Sequence, residues 1–246
     1  MEYASWAPQY DRIREAFGFP LEREERSAAR LRELLRPRGP MDGLGEAGRR
    51  IRSRVAVVVG LSPGSGAPPI WRLGDLERPV VLAADGAAQR CLAAGLVPDV
   101  VVTDLDGPVP SEVTANARGA LTIVHAHGDN REALERWVPE FTHAVAGSWA
   151  GPPTLELLNV GGFTDGDRAV FLAEHVQAAR ILLWGFEFDR VEETEPEERQ
   201  RKLAKLRFAG ELIGWLASRS RVPIETWDRD GSRRPYPVAA TGPSTQ

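Results

Sequence analysis

The stretch Val100-Val-Val-Thr-Asp-Leu-Asp-Gly107 decides the fold, because a short, wholly apolar run ends abruptly in two aspartates and a glycine. Similar apolar runs recur along the chain with helix-like stretches between them. They lie at Val55–Val59, Val80–Ala83, Leu121–Val124, Leu157–Val160, Ile181–Trp184 and Val222–Thr226. Short apolar strands separated by helices are typical of a parallel sheet covered on both faces. The sequence therefore predicts one doubly wound, Rossmann-like α/β domain over residues 54–228, with a mostly parallel sheet.

The segments on either side of this domain differ from it in composition. Residues 1–53 are dense in Arg and Glu around spaced apolar positions, which predicts helices with one apolar face that end near Pro37–Pro40. Three roles are open for this segment: a helical appendage packed on the core, a lid, or a dimerisation arm. Residues 229–246 contain Pro, Gly and Ser without periodicity, and we expect them to form a loose tail.

The composition excludes several classes of protein. Hydrophobic residues make up 42% of the 246 residues and charged residues 27%, which excludes a wholly disordered chain. The single cysteine, Cys91, excludes an intrachain disulfide framework. No apolar run approaches the ~20 residues that span a bilayer, and residues 1–10 lack the form of a signal peptide. With a net charge of -4, no basic field favours nucleic acid. We therefore expect a cytoplasmic protein that binds neither membrane nor nucleic acid.

Aspartates follow the predicted strands one after another. They are Asp85, Asp104, Asp106 and Asp129, with Asp165 and Asp167 opening a later helix. Because the carboxyl ends of parallel strands meet at one edge, these side chains are expected in one crevice, where they repel one another unless a cation binds. Oxygen ligands of this kind suit Mg²⁺ better than zinc or copper. Asp104 and Asp106 alternate, so an extended backbone directs both to one ion. For any single aspartate the alternative is a helix cap or a turn.

Glycines lie at the same predicted edge. Gly60 and Ser62 follow the first strand in Gly60-Leu-Ser-Pro-Gly-Ser-Gly66, and Gly161-Gly162 precedes the helix that Asp165 opens. Glycine lets backbone N–H groups approach an anion closely, so both stretches are candidates for phosphate binding. Neither matches a Walker loop, because no Gly-Lys-Ser/Thr follows. A tight turn is the alternative at both.

Two pairs of basic side chains are further candidates. His125 and His127 alternate on one face of a strand and are expected to contact the substrate or Asp129, or to pack, rather than to bind zinc. Lys202 and Lys205 lie one helical turn apart and share a face of a predicted helix. That face either contacts phosphate or is simply solvated.

At these residues the chain resembles the archaeal 6-hydroxymethyl-7,8-dihydropterin diphosphokinase family, a DUF115-type group related to thiamine pyrophosphokinase. The resemblance covers roughly residues 54–226 and rests on five motifs. They are Ala84-Asp85-Gly86-Ala87, the stretch from Pro98-Asp99 to Gly107, His125-Ala-His-Gly-Asp-Asn130, Asn159-Val-Gly-Gly-Phe-Thr-Asp-Gly-Asp-Arg-Ala169 and the helix around Lys202 and Lys205. Two segments depart from the family pattern, Gly60–Ser65 and Gly185–Phe188.

The resemblance implies a thiamine-pyrophosphokinase-like fold and a specific reaction. The β,γ-diphosphate of ATP would pass to the hydroxymethyl group of 6-hydroxymethyl-7,8-dihydropterin with release of AMP, in folate or methanopterin synthesis. ATP and a pterin alcohol are then the substrates, and the apolar face of the N-terminal segment adds to the expectation of a homodimer. One or two Mg²⁺ ions would be held by Asp85, Asp104, Asp106 and Asp129 and would stabilise charge on the phosphates.

The resemblance also assigns roles to the remaining candidates. Asp165 or Asp167 would orient or deprotonate the substrate hydroxyl, with Arg168 as a cation beside them. The expected nucleotide and phosphate contacts are Gly60, Ser62, Gly161, Gly162, Thr164, Lys202 and Lys205. The expected substrate contacts are His125, His127, Asn130 and Asn159, with Trp149 as a further candidate for the pterin ring.

Three other functions are compatible with the sequence. The same fold could transfer diphosphate to thiamine or another small alcohol. A DUF115-type glycosyltransferase would use Asp104 and Asp106 to hold a nucleotide-sugar diphosphate. A nucleotide-binding protein without turnover is the third, although clustered carboxylates are electrostatically costly without a cation or a shared proton.

Overall fold

The computed structural model describes residues 3–70 and 78–238, which form a nine-stranded sheet with helices on both faces. The strands are β1 Val55–Val59, β2 Val80–Ala84, β3 Val100–Thr103, β4 Leu121–Ala126, β5 Val145–Trp149, β6 Leu157–Leu158, β7 Arg180–Trp184, β8 Ile224–Trp227 and β9 Arg233–Pro235. Their order in the sheet is β6-β5-β4-β3-β2-β1-β7-β8-β9. Neighbouring strands are parallel throughout, except that β9 runs antiparallel to β8.

Helices connect most of these strands. The α-helices in the described residues are α1 Tyr3–Phe17, α2 Leu21–Leu35, α3 Gly43–Ile51, α4 Ala87–Ala93, α5 Val109–Ala117, α6 Arg131–Trp137, α7 Asp165–His175 and α8 Pro196–Ala217. Short 3-10 turns follow α2 at Arg36–Arg38 and α6 at Val138–Glu140. Within the described ranges, every helix is too short or too polar to cross a membrane.

Both faces of the central strands are buried, which explains their continuous apolar sequences. Ala56 and Val58 of β1 face a core that includes α7 and α8. Val57 and Val59 of the same strand face a second core, formed with α4. A strand buried on both faces needs apolar side chains at every position rather than at alternate ones. The prediction of a doubly wound, mostly parallel α/β sheet is confirmed.

The direction in which strands are added to the sheet reverses beside β1, which makes this place a topological switch point. The chain adds β2 to β6 on one side of β1, and β7 then returns to pair with the other side. At the end of β1, Val59 therefore has Ala83 of β2 as one neighbour and Trp184 of β7 as the other. The loops that leave β1 and β7 diverge here, and open α/β sheets bind their ligands in such a crevice. The topology therefore places a candidate site at the carboxyl ends of β1, β2, β3 and β7.

The predicted N-terminal helices are present, and they lie on opposite faces of the sheet. In α1, Trp6 and Tyr10 are buried in the core formed with α7, where the Trp6 ring meets Phe171 edge-on at 5.7 Å between centroids. In α2, Ala28 and Leu31 are buried against α6 and the outer strands of the other face. The apolar face of each helix is thus covered by the core.

Within the predicted domain, the strand β5 is missing from the sequence prediction. Residues 146–148 of β5 are small, so they produce no bulky apolar run, yet they are buried. Small residues are required at this position of β5, because a Cβ atom on Gly147 would lie 2.9 Å from Leu35 and 3.1 Å from Leu31 of α2. The strand predicted over 157–160 is only the two-residue β6, at the edge of the sheet.

The expectation of a loose tail from residue 229 is wrong for Arg233–Pro235. These residues form β9, which pairs with β8 through a hairpin. The backbone N–H of Asp228 donates to the Ser232 carbonyl over 2.9 Å, and Arg234 donates to the Asp228 carboxylate, which closes the turn. Residues 239–246, the rest of that predicted tail, lie outside the described residues.

Asn116 connects the end of α5 to the starts of β4 and β5. Its side chain is fully buried. The amide nitrogen donates to the carbonyl oxygens of Ala120 and Ala144 at 3.1 and 3.0 Å, and the amide oxygen accepts from the N–H groups of Thr142 and His143 at 3.0 and 2.9 Å. One side chain thus satisfies four backbone groups at the starts of two strands.

We expect Asn116→Ala to lower the free energy of unfolding by about 3 kcal/mol, because it removes the partner of four backbone groups, including the buried carbonyl of Ala120. Urea denaturation measures the change. Thr114→Ala on the exposed face of the same helix is the control and should change stability by less than about 0.5 kcal/mol. A loss below about 1 kcal/mol for Asn116→Ala would contradict the role assigned to this side chain.

Candidate active site

An open cleft of about 630 Å³ lies at the carboxyl edge of the sheet, at the switch point. Its walls are the loop over residues 60–63, the ends of β2 and β3, the start of α7, the segment over residues 185–193 and one face of α8. The cleft therefore collects side chains from separate parts of the chain.

Three aspartates converge in this cleft. Asp85 follows β2, and Asp104 and Asp106 follow β3. One carboxylate oxygen of each lies within 4.8 Å of those of the other two. The prediction that these three side chains meet at one edge of the sheet is confirmed.

Backbone geometry directs Asp85 towards the other two. Asp85 has a φ of 44°, a left-handed conformation that side chains rarely adopt, and its N–H donates to the Val102 carbonyl at 2.8 Å. Its carboxylate fills the space beside Gly107, where a Cβ atom would collide with the Asp85 Oδ2. Gly107 is therefore required by the position of the carboxylate.

Asp104 and Asp106 reach the cluster by a different route from the one predicted. The backbone between them is not extended, because Leu105 has a φ of 68°. The Asp106 N–H donates to Asp104 Oδ1 at 3.2 Å, which forms a tight turn around the first carboxylate. The side chain of Leu105 is buried in the core instead of facing away from it. The two aspartates thus converge through a turn and not through strand alternation.

The closeness of charged groups in the cluster shifts the pKa values of Asp104 and Asp106 in opposite directions. Burial acts to raise the pKa of Asp104, but the His127 ring, a hydrogen bond with Asp106 and the charge of Arg168 overcome it and lower that pKa to about 2. At Asp106, desolvation and the negative charges of Asp104 and Asp85 raise the pKa to about 7. A carboxylate that resists ionisation next to one that ionises readily is the expected response to concentrated negative charge.

Asp165, the first residue of α7, adds a fourth carboxylate to the wall of the cleft. Its Oδ1 is buried, and within the described ranges no hydrogen-bonding group reaches it. Arg168, one helical turn along, places Nη1 at 3.9 Å from this oxygen. Burial and the negative charge of Asp104 hold the pKa of Asp165 well above its usual range. An unpaired buried oxygen of this kind is a binding group for a ligand.

The donor chemistry of this site fits a hard divalent cation. The converging atoms are carboxylate oxygens, the ligands that such cations prefer. A bound dication would offset the repulsion that raises the pKa of Asp106, and the cluster found among the described residues consists of aspartates alone.

The prediction of Asp129 as a fourth ligand is wrong. Its carboxylate points to solvent and pairs with Arg23 of α2 at 3.3 Å, with more than half of each side chain exposed. The backbone of Asp129 contacts the site through His127. The Asp129 N–H donates to His127 Nδ1 at 3.3 Å, and His127 Nε2 lies 3.3 Å from Asp104 Oδ2. His127, expected to contact substrate, thus holds a carboxylate of the cluster.

The prediction of Asp167 as a proton acceptor is also wrong. Its side chain is fully buried and caps α7, because its two oxygens accept from the N–H groups of Phe163 and Thr164 at 2.7 and 2.6 Å. The Thr164 hydroxyl donates to the same carboxylate at 2.6 Å. Asp165 is left as the acidic residue of α7 that faces the cleft, while Thr164 lines the cleft with its hydroxyl already engaged.

Asn130 and Asn159 both make hydrogen bonds to the backbone. The Asn130 amide donates to the carbonyls of Asp104 and His125 at 2.7 and 2.8 Å and accepts from the His127 N–H, which joins the ends of β3 and β4. Asn159 donates to two carbonyls at residues 150 and 151 and accepts from a backbone N–H at residue 161. The donors of both amides are engaged by the backbone, and the expected contacts of these two residues with substrate stay predictions.

The predicted glycine stretches occupy two different places. Gly60 and Ser62 line the cleft, and a Cβ atom on Gly60 would lie 2.6 Å from the Gly185 carbonyl. Gly161 and Gly162 line a separate crevice and have positive φ angles, and Cβ atoms there would collide with α7. The second pair is thus required by close packing, while the first is placed where phosphate contact is possible.

The two lysines both line the cleft from α8. Lys202 pairs with Glu193 at 2.9 Å and is half exposed. Lys205 lies close enough to Asp106 for its charge to act on that carboxylate. The predicted lysine face therefore does border the acidic cluster.

Glu112 of α5 is a further acidic residue at the site, and the sequence pattern does not predict it. It is fully buried behind Asp85, and burial together with the Asp85 charge raises its pKa to about 9. No helix is predicted over α5, so nothing in the pattern indicates that this glutamate points inwards. A helix assigned between the third and fourth strands would have revealed it.

Known proteins resemble this chain over most of its length. The family model described as "6-hydroxymethylpterin diphosphokinase MptE-like" matches residues 52–193. Curated relatives from Methanothermobacter thermautotrophicus and Pyrococcus furiosus are each 38% identical to this chain over 92% and 91% of its length, covering 100% and 98% of their own. One from Methanocaldococcus jannaschii is 33% identical over 92% of this chain and 99% of its own. All three are named 6-hydroxymethyl-7,8-dihydropterin pyrophosphokinase.

Two solved structures are more distant. A thiamine pyrophosphokinase from Bacillus subtilis is 16% identical, with a TM-score of 0.38 over 71% of this chain and 60% of its own. The MAf glycosyltransferase from Magnetospirillum magneticum is 16% identical, with a TM-score of 0.41 over 63% of this chain and 29% of its own. The sequence matches are far stronger, since they extend over nearly the whole of both chains. The chain belongs to the 6-hydroxymethylpterin diphosphokinase MptE-like family.

Proposed function

We propose that the protein transfers the β,γ-diphosphate of ATP to the hydroxymethyl group of 6-hydroxymethyl-7,8-dihydropterin and releases AMP. The observation that carries the proposal is the convergence of Asp85, Asp104 and Asp106 beside the buried, unpaired oxygen of Asp165. Transfer of a diphosphate needs charge neutralisation and in-line positioning more than covalent catalysis. A carboxylate cluster at a sheet switch point supplies both.

We propose that Asp85, Asp104 and Asp106 hold Mg²⁺. When bound, the ion neutralises charge on the phosphate oxygens. Asp106, with its raised pKa, must give up its proton to act as a ligand, so ion binding and deprotonation are coupled. Two neighbours fix the carboxylate of Asp104: the His127 ring and the backbone N–H of Asp106. These contacts keep the site in position before substrate arrives.

Asp165 is the proposed proton acceptor. The pterin hydroxyl oxygen attacks the β-phosphorus, the new O–P bond forms as the bond to the α-phosphate oxygen breaks, and AMP leaves. The hydroxyl proton passes to Oδ1 of Asp165, which must be ionised to accept it, and the nearby charge of Arg168 favours that ionised form. Two cations are proposed to interact with the transferred phosphates: Lys205, which lines the cleft, and Arg168, 3.9 Å from the Asp165 oxygen.

The direct test incubates purified protein with ATP, Mg²⁺ and either the pterin alcohol or thiamine, and measures AMP. We expect AMP only with the pterin. AMP with thiamine alone would assign another acceptor, and the absence of AMP with both would overturn the proposal. A homodimer, expected from the family resemblance, stays a prediction that light scattering of the same preparation measures.

Asp104→Asn and Asp106→Asn should each reduce kcat by about 100-fold or more, because each removes a charge from the metal site. Asp129→Asn is the matched control: it also follows a strand, but its carboxylate faces Arg23 and solvent, so kcat should stay close to that of the unchanged protein. Circular dichroism checks that the variants fold. Equal losses in all three variants, or none, would contradict the assignment.

Mg²⁺ should raise Tm more at pH 8 than at pH 5.5. The pKa of Asp106 is about 7 in the folded protein and near its ordinary value when unfolded, so the metal-free protein loses stability as pH rises through about 7. A bound dication removes this loss of stability only at pH values at which the Asp106 carboxylate is ionised. Differential scanning fluorimetry with and without Mg²⁺ measures the difference, and Asp104→Asn should abolish it. A Tm rise that is equal at both pH values would count against a preformed cation site.

A further inference from the structure

The first turn of α2 packs against the turn that follows β4. This 127–130 turn carries His127, the ring that holds Asp104 of the acidic cluster. A Cβ atom on Gly128 would lie 2.9 Å from the Cβ atom of Arg23, so the helix and the turn touch without space for a side chain at Gly128. The N-terminal segment therefore reaches the stretch of backbone on which the orientation of Asp104 depends.

Glu24 of α2 makes a buried hydrogen bond to this turn. Its side chain is 4% exposed, and its Oε1 accepts from the Gly128 N–H at 3.2 Å. Burial raises the pKa of Glu24. The His127 ring and the charge of Arg168 act against this increase, since both lie close enough to affect the carboxylate. Glu24 thus lies beside the site, although it comes from a segment outside the predicted α/β domain.

A stabilising role within the helix alone does not account for the burial of Glu24. Acidic side chains in the first turn of a helix interact favourably with its N-terminal N–H groups. Glu22 lies in the same turn of α2 and is exposed to solvent, so that interaction requires no burial. Burying a carboxylate costs free energy unless a specific partner compensates for it. The partner of Glu24 is the backbone of the 127–130 turn, so its contact points to a role in that turn.

Three hydrogen bonds fix the backbone and the ring of His127. Its N–H donates to the Asn130 side chain at 3.0 Å, and its Nδ1 accepts from the Asp129 N–H at 3.3 Å. The third is the bond from the Gly128 N–H to Glu24, which fixes the peptide group that follows His127. Asn130 and Asp129 belong to the turn itself, whereas Glu24 connects the turn to another part of the chain.

We propose that Glu24 is a positioning residue for the acidic cluster: it holds the 127–130 turn so that His127 orients Asp104 for Mg²⁺. The inference rests on the proposed function and adds a role for the N-terminal segment. Loss of a partner behind a metal ligand weakens metal binding although every ligand is still present. A helix with this role stays packed on the core during turnover, which favours a fixed appendage over a lid.

The test replaces Glu24 with two uncharged side chains of similar length. Glu24→Gln keeps an oxygen that accepts from the Gly128 N–H, whereas Glu24→Met lacks that acceptor and is easily buried. We expect Glu24→Met to raise the Mg²⁺ concentration for half-maximal AMP formation about tenfold, with kcat restored at saturating Mg²⁺. Glu24→Gln should lie within about threefold of the unchanged protein. Glu25→Met, on the exposed side of the same helix, is the matched control and should leave the Mg²⁺ requirement unchanged.

A double variant tests whether Glu24 acts through His127. We expect His127→Ala to raise the Mg²⁺ requirement by itself, because it removes the ring that holds Asp104. Adding Glu24→Met to His127→Ala should then change that requirement by less than about twofold, since two residues that act through one contact are not additive. Additive increases would overturn the inference, because Glu24 would then act by another route.

Three other outcomes would also overturn the inference. The first is an unchanged Mg²⁺ requirement in Glu24→Met, and the second is an equal increase in the Met and Gln variants. The third is loss of the folded circular dichroism spectrum in Glu24→Met, because the contact would then hold the core and not the site.

The Mg²⁺ concentration at which Tm rises at pH 8 measures the same affinity without turnover. The variants should rank in the same order by this measurement. Absence of AMP from the unchanged protein, together with the expected order of Tm responses, would refute the proposed function and leave the positioning role of Glu24 supported. AMP formation with equal Tm responses in all variants would do the reverse.

Discussion

The repulsion among carboxylates at the ends of β2 and β3 is the constraint on which the rest of the site depends. Three acidic oxygens within 4.8 Å of one another cannot all be charged without a counter-charge. Among the residues that the structure describes, backbone hydrogen bonds and His127 hold them there, and not paired arginines or lysines. The negative charge therefore remains available to a bound cation. The neighbouring basic groups, Arg168 and Lys205, lie around the cluster instead of in it.

The backbone is strained at two places to maintain this arrangement. Asp85 and Leu105 both have left-handed φ angles, although neither is a glycine. Such conformations cost on the order of 1–3 kcal/mol each and persist only where surrounding structure enforces them. Here the buried side chain of Leu105 and the hydrogen bond from the Asp85 N–H to Val102 provide that enforcement. The core of the fold thus stabilises an acidic site that is unfavourable by itself.

The fold could be predicted from the sequence where burial on both faces makes a strand apolar throughout, as in β1, β2 and β3. It could not be predicted for β5, whose small residues are selected by contact with α2. The same limit applies to the site. Asp104 and Asp129 each follow a strand, yet only one faces the cleft, and the difference is the direction in which the backbone turns. The role of Asp167 could not be predicted either. An aspartate that caps a helix and an aspartate that reacts are the same residue type, so the sequence does not distinguish them.

The imidazole of His127 is anchored at both nitrogens, one by the Asp129 N–H and the other by Asp104. Since the first nitrogen accepts, the second carries the ring's only proton and can donate it without the ring becoming cationic. The hydrogen bond from this ring therefore orients Asp104 for an incoming ion. Through this one ring, the backbone that follows β4 sets the direction of a carboxylate that follows β3.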